Sequence, residues 1–118
     1  MPQKLNYRRG DVVLLLFPHS SLRGAKTRPA LVIQANDLSS GLRQVIVAMI
    51  TSQTSRAGHA SRVSIIAKSE QGKESGLLTD SVVMTDNLAT ILEGAVYRVI
   101  GSLPMTSVDV ALRHTLGL

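Results

Sequence analysis

Apolar segments separated by polar, turn-rich stretches run through most of the chain, and the pattern changes period only at the C-terminus. Asp11–Phe17 (DVVLLLF) is continuously apolar and β-branched at its start, which predicts a buried strand ending before Pro18. Pro18–Thr27 (PHSSLRGAKT) is a loop, and a basic one. Pro29 stiffens the chain and pushes Arg28 toward an extended backbone, so Ala30–Gln34 is read as a second strand with Arg28 at its first turn. Asn36–Gly41 is a turn cluster and Leu42–Ile50 a third strand.

Thr51–Ala60 is polar without periodicity, and Arg62–Ala67 (RVSIIA) predicts a fourth strand. Lys68–Gly76 (KSEQGKESG) is read as a solvated loop. A fifth strand is expected within Leu77–Thr85, broken by Asp86-Asn87. Leu88–Leu92 is short and of ambiguous period, and Ala95–Gly101 is a last strand. Val108, Ala111, Leu112, Thr115 and Leu116 then fall on one face of an amphipathic helix. Thr106 and Asp109 have the spacing of a capping box, and Gly117 supplies the stop. The sum is a mainly β, β-rich α+β domain over residues 1–118, a small barrel or strongly curved sheet with one C-terminal helix.

Composition narrows the chemistry. At 118 residues the chain can bury a core without staples, and with no cysteine it has neither disulfides nor a thiolate nucleophile. His19, His59 and His114 are scattered at no metal-ligand spacing, which suits surface or loop positions. Met1–Arg9 is polar and basic without an apolar stretch behind the charges, and no apolar run approaches the ~20 residues of a membrane helix. A cytoplasmic location is therefore expected.

Charge is uneven. Through Arg62 there are nine Lys/Arg against Asp11 and Asp37, a net of +7; from Val63 onward four Lys/Arg face six acids, a net of −2. The basic half suits a polyanion, either nucleic acid or an acidic protein segment, and equally an ordinary solvated face. Tyr7, Phe17 and Tyr97 are too few for a base-stacking platform, so an RNA ligand would be held through phosphate and backbone contacts.

Polar residues at strand ends are the candidates for chemistry. Arg28 offers a planar fork of donors matched to phosphate oxygens. Thr51 and Ser52 end an apolar strand in hydroxyls, at the rim of a sheet. Asp86 follows an apolar strand and could orient Arg28 or a 2′-hydroxyl. Each also has an ordinary structural explanation: a surface arginine beside a proline, a strand-to-loop transition, a turn residue.

The order RRGDVVLLLF (8–17), KTRPALVIQAND (26–37), VIVAMITSQ (45–53) and SVVMTDNLATI (81–91), closing with ALRHTLGL (111–118), resembles the MazF/PemK/Kid family of bacterial toxin endoribonucleases. The resemblance covers essentially the whole chain in register. It implies a strongly twisted SH3-like barrel of the CcdB/PemK type, forming a homodimer with single-stranded RNA (mRNA) across the subunit interface. It also implies sequence-specific, metal-independent cleavage with no cofactor, in which the 2′-hydroxyl attacks its own phosphate to leave 2′,3′-cyclic phosphate and 5′-hydroxyl ends.

By the same resemblance Arg28 stabilises the phosphorane and serves as acid. Thr51 holds a phosphate oxygen, and Asp86 is the base. Ser21, Arg23, Lys26, Ser52, Gln53 and Arg56 are assigned to RNA binding. A cognate antitoxin, acidic and partly disordered, would land on the basic loop from Arg23 to Arg28, and DNA would be bound only through that antitoxin. Two positions depart from the family pattern. Met84 stands where some members carry an arginine two residues before the acid. Ser21–Ala25 (SLRGA) replaces a loop that usually runs Gly-Ser then Glu-Gln-Gly-Gly, which implies a different RNA preference. A CcdB-like gyrase inhibitor without catalysis, and an inactive relative that only binds antitoxin, remain as alternatives on the same fold.

Overall fold

A computed structural model describes residues 6–18 and 25–118. Six strands form one antiparallel sheet: β1 (Asp11–Pro18), β2 (Ala25–Val32), β3 (Gln44–Thr51), β4 (Arg62–Ile65), β5 (Ser81–Leu92) and β6 (Val96–Ser102). Their spatial order is β4-β5-β3-β2-β1-β6. Helix α1 (Glu70–Ser75) lies between β4 and β5, and α2 (Thr106–Leu116) closes the chain.

The long apolar runs follow from burial on both faces of the sheet. Val12, Leu31 and Ala48 lie side by side in register and join Ile50, Val83, Val108 and Leu112 in one cluster under α2. Their neighbours Val13, Leu15, Ala30, Val32, Val45 and Val47 build a second cluster on the other face. A strand with a core on each side cannot alternate apolar with polar, which is why DVVLLLF and VIVAM read as unbroken runs.

The mainly β architecture with a C-terminal helix is as expected, and the sheet is not closed: among the described residues no pairing joins the edge strands β4 and β6. It curls far enough for α1, which follows β4, to reach the opposite edge. There the backbone of α1 lies directly on β6: a Cβ added to Gly101 would fall on the carbonyl oxygens of Glu74 and Ser75, and one on Gly76 would fall on that of Ile100. Gly76 also adopts φ +74° to end α1, a conformation that side chains with a Cβ resist.

Several boundaries differ from the sequence reading. Segment 68–76 is not a simple loop: Ser69 accepts a hydrogen bond from the Gly72 N–H and caps α1. Strand β2 begins at Ala25 rather than Ala30, so Arg28 is mid-strand. Strand β5 begins at Ser81 and continues through Asp86-Asn87, absorbing 88–92. The break foreseen there is a bulge. Ala48 pairs Leu88 and the adjacent Met49 pairs Met84, leaving Thr85, Asp86 and Asn87 looped out from β3. Segment 51–60 contains a 3-10 turn at Thr54–Arg56.

The capping box of α2 does not form. Thr106 is already helical and Met105 precedes it without a side-chain cap. The Asp109 carboxylate instead meets Arg9 Nη2 at 2.6 Å, while Arg9 Nε donates to the Ile33 carbonyl, tying the segment before β1 to α2 and to the residue that follows β2. Gly117 ends α2 at φ 71° as expected. No described helix is long and apolar enough to cross a membrane.

Tyr7 packs on the second cluster and donates its hydroxyl to Glu93 Oε1 at 3.1 Å. Burial, then that hydrogen bond, push its pKa from 10.0 up to about 12.

Gly101→Ala should destabilise the fold by about 1–3 kcal/mol, because β6 and α1 must separate to admit the methyl; urea unfolding measures it. For Tyr7, the folded chain keeps its phenol proton where the unfolded chain has lost it. Its contribution is complete below pH 10.0 and fades toward pH 12. Unfolding titrations across that interval should show a loss in the parent protein that Tyr7→Phe lacks.

Candidate functional site

Between β2 and β3 the sheet divides. Their ladder runs Val32–Val47, Leu31–Ala48 and Ala30–Met49, and stops. The next position on β2 is Pro29, which has no N–H to offer a neighbour. Beyond it β2 follows β1, pairing Arg28 with Leu15 and Lys26 with Phe17, while β3 follows β5 as far as Thr51–Val82. The two diverge like the arms of a fork.

An open groove of about 1140 Å³ occupies the fork. Lys26, Thr27, Arg28 and Pro29 line one arm; Met49–Gln53 and Arg56 line the other. Leu77–Thr79, Ser81 and Met84 complete the second side, and Arg98, Val99 and Ile100 of β6 lie beyond β1. Carried two residues past Ala30–Met49, the same register would set Arg28 opposite Thr51. The groove therefore holds the arginine and the hydroxyl that the sequence singled out, on facing arms.

Four cations reach this lining (Lys26, Arg28, Arg56 and Arg98), and no carboxylate does so among the described residues. Ser52 and Gln53, both expected at an RNA site, also line it. Ser21 and Arg23 lie outside the described residues. Arg98 was not foreseen; the available signal was a lone cation in the apolar strand AVYRVIG, which the ladder places beside Leu14. Arg98 and Pro29 are both partners of Leu14, so this cation stands one strand away from the Arg28-Pro29 step.

The end of β3 is shaped by its own polar groups. Thr51 Oγ1 accepts from the Gln53 N–H at 3.1 Å, turning the chain out of the strand. The Arg56 N–H bonds the Gln53 carbonyl at 3.1 Å in the 3-10 turn. The Arg56 guanidinium rests 3.7 Å from Met84 Sδ, and Met84 itself is buried.

Asp86 does not line the groove. Its two oxygens receive Arg62 Nε and Nη2 at 3.3 and 2.7 Å, and Arg62 Nη1 donates to the Arg56 carbonyl at 3.1 Å. The Arg62 hydrogen bond, outweighing desolvation, holds the Asp86 carboxyl below its ordinary value of 3.8. A carboxylate so stabilised is a weak proton acceptor at neutral pH. Nearby, His59 Nδ1 lies 2.6 Å from Ser61 Oγ and its ring meets that of His114 edge-on; both histidines are exposed. No three His, Asp or Glu residues cluster as a metal site among the described residues.

Known proteins share this architecture. A Mycobacterial endoribonuclease in complex with its cognate antitoxin superposes with a TM-score of 0.72 at 21% identity, over 96% of this chain and 97% of that one. Mycobacterium tuberculosis toxin MazF-mt6 gives 0.66 at 27% identity, over 90% and 97%. A crystallised Mtb toxin is 32% identical over 76% of this chain and 89% of its own, with a TM-score of 0.58. No curated protein matches this chain. The family model for the PemK-like, MazF-like toxin of type II toxin–antitoxin systems matches residues 8–115, so that the forked sheet and its cationic groove are those of a member of the PemK/MazF toxin family.

Proposed function

We propose that this protein is a toxin endoribonuclease that binds single-stranded RNA in the fork between β2 and β3 and cleaves it beside Arg28 and Thr51. The observation that carries the reading is the groove lining: Lys26, Arg28, Arg56 and Arg98 with hydroxyls and amides, and no carboxylate among the described residues. Such a surface attracts a phosphate chain and repels none of it.

In the reaction the 2′-oxygen of one nucleotide forms a bond to its own 3′-phosphorus. The bond from phosphorus to the 5′-oxygen of the next nucleotide breaks. The 2′-hydroxyl proton leaves to water in the open groove, and the departing 5′-oxygen takes a proton from Arg28, which regains one from solvent. A 2′,3′-cyclic phosphate and a 5′-hydroxyl remain. Arg28 and Thr51 Oγ1 donate to the non-bridging oxygens, where charge grows as the phosphorane forms; donors already fixed by strands need little rearrangement to meet it. This reading asks no metal or cofactor of the groove.

Leu78, 95% exposed, and Val99, 39% exposed, stand on the groove walls. A second copy covering them would make a homodimer with RNA along its seam. An antitoxin with an acidic segment would compete with RNA for Lys26 and Arg28. The same reading places the 1–118 toxin domain in the cytoplasm, with its mRNA substrate.

The test is incubation of a long, mostly unstructured RNA with the purified protein in excess EDTA, followed by mapping of product ends. Cuts at a short motif, bearing cyclic phosphate and 5′-hydroxyl ends, are expected. Arg28→Ala should slow cleavage by roughly 10²–10³ with an unchanged melting temperature; cleavage at the parent rate would remove Arg28 from the reaction. Thr51→Ala should also slow it without unfolding the protein. No cuts by a folded, antitoxin-free protein would turn attention to a gyrase-binding relative without catalysis.

Arg98→Ala should leave the cleavage motif unchanged and weaken RNA binding about tenfold. The slope of log Kd against log salt should fall by ~0.7, the contribution of one phosphate contact on a single strand. An unaltered slope would show that Arg98 does not touch the RNA.

A further inference from the structure

The arm of the groove that carries Thr51 is held from behind by a chain of hydrogen bonds starting outside the groove. Asp86, in the β5 bulge, binds two nitrogens of Arg62; the third nitrogen of Arg62 binds the Arg56 carbonyl. The Arg56 N–H binds the Gln53 carbonyl, and the Gln53 N–H binds Thr51 Oγ1. Arg62 thus spends two guanidinium nitrogens on Asp86 and the third on this arm, and Arg62 is not part of the groove lining.

Arg56 is gripped twice. Its carbonyl is held by Arg62, and its guanidinium lies against Met84 Sδ, two residues before Asp86 on the same strand. The first contact reaches β5 through Arg62 of β4 and its pair with Asp86, and the second touches β5 directly. An exposed arginine ordinarily loses much rotamer freedom when it binds a phosphate; one already leaning on a buried thioether, from a backbone fixed by an ion pair, loses less.

We propose that Arg62 and Asp86 are positioning residues, holding the 51–56 segment so that Arg56 meets an RNA phosphate next to the one at Arg28. This rests on the groove being the RNA site. It gives Asp86 a task that needs its ionised form, in keeping with the lowered pKa, and no contact with the reacting atoms.

The experiment uses the full chain, a labelled single-stranded RNA and the cleavage assay. Arg56→Ala, Arg62→Gln and Asp86→Asn should each raise KM and Kd about tenfold, with kcat changed less than KM. The double variant Arg56→Ala/Asp86→Asn should bind no more weakly than Arg56→Ala alone, because both changes remove the same contact. In the RNA-free protein the Met84 methyl NMR signal should shift in Arg62→Gln and Asp86→Asn, toward its position in Arg56→Ala.

Additive losses in the double variant would overturn the proposal. So would an Asp86→Asn protein with reduced kcat but unaltered KM and Met84 signal, which would put Asp86 at the reacting atoms. If the parent protein neither binds nor cuts RNA, the nuclease reading fails on its own. The Met84 signal then decides alone: a shift in Arg62→Gln and Asp86→Asn keeps the hold on Arg56, and no shift removes it.

Discussion

Pro29 stands where a continuous sheet would need an N–H. The β2–β3 ladder reaches Ala30–Met49 and goes no further, and each strand then stays with its outer neighbour. A residue able to donate at that place would favour zipping the two strands together, Arg28 beside Thr51 with no space between. The missing donor keeps the strands apart at one end while three pairs hold them at the other. A rigid cleft with polar groups on both arms results, and cores on both faces of the sheet keep the arms from collapsing.

The opposite side of the fork has its own opening device. At the level of Met49, β5 loops Thr85, Asp86 and Asn87 away from β3. Thr85 turns inward, fully buried, with its hydroxyl bonded to the Ser61 carbonyl and near Thr115 of α2. Asp86 turns outward to Arg62, and Asn87 reaches the groove. Three consecutive residues thus serve the core, the ion pair and the cleft, which an unbroken ladder with its strict alternation would not allow.

How much of this could be read in the sequence depended on the distance between cause and effect. The strands were legible because burial on both faces writes itself as long apolar runs, and α2 because its stripe has a helical period. Thr51 was legible as a strand-end hydroxyl and Arg28 as a cation beside Pro29, although Arg28 lies mid-strand; the family resemblance strengthened their pairing. Helix α1 was missed because it has no apolar face: it packs through Gly72, Gly76 and Gly101, backbone against backbone, which hydropathy does not record. The Asp109 carboxylate was assigned to its own helix, yet Arg9, a hundred residues earlier, holds it more closely. Asp86 looked available for chemistry because its partner Arg62 lies on another strand. Arg98 became a groove residue only through the pairing of β6 with β1.

Met84 connects these points. The family resemblance implies an arginine at this position in some members, and with a methionine there this chain has one cation fewer beside the cleft. Here the Arg56 guanidinium lies on the Met84 sulfur, so a cation from the adjacent turn occupies that neighbourhood. The thioether is a soft, polarisable surface that a guanidinium can rest on without an ion pair neutralising it. An arginine at position 84 would repel Arg56 and compete with Arg62 for Asp86. The methionine, the Arg62–Asp86 pair and the placement of Arg56 are therefore one solution rather than three independent features, and a change at any of them should be felt at the other two.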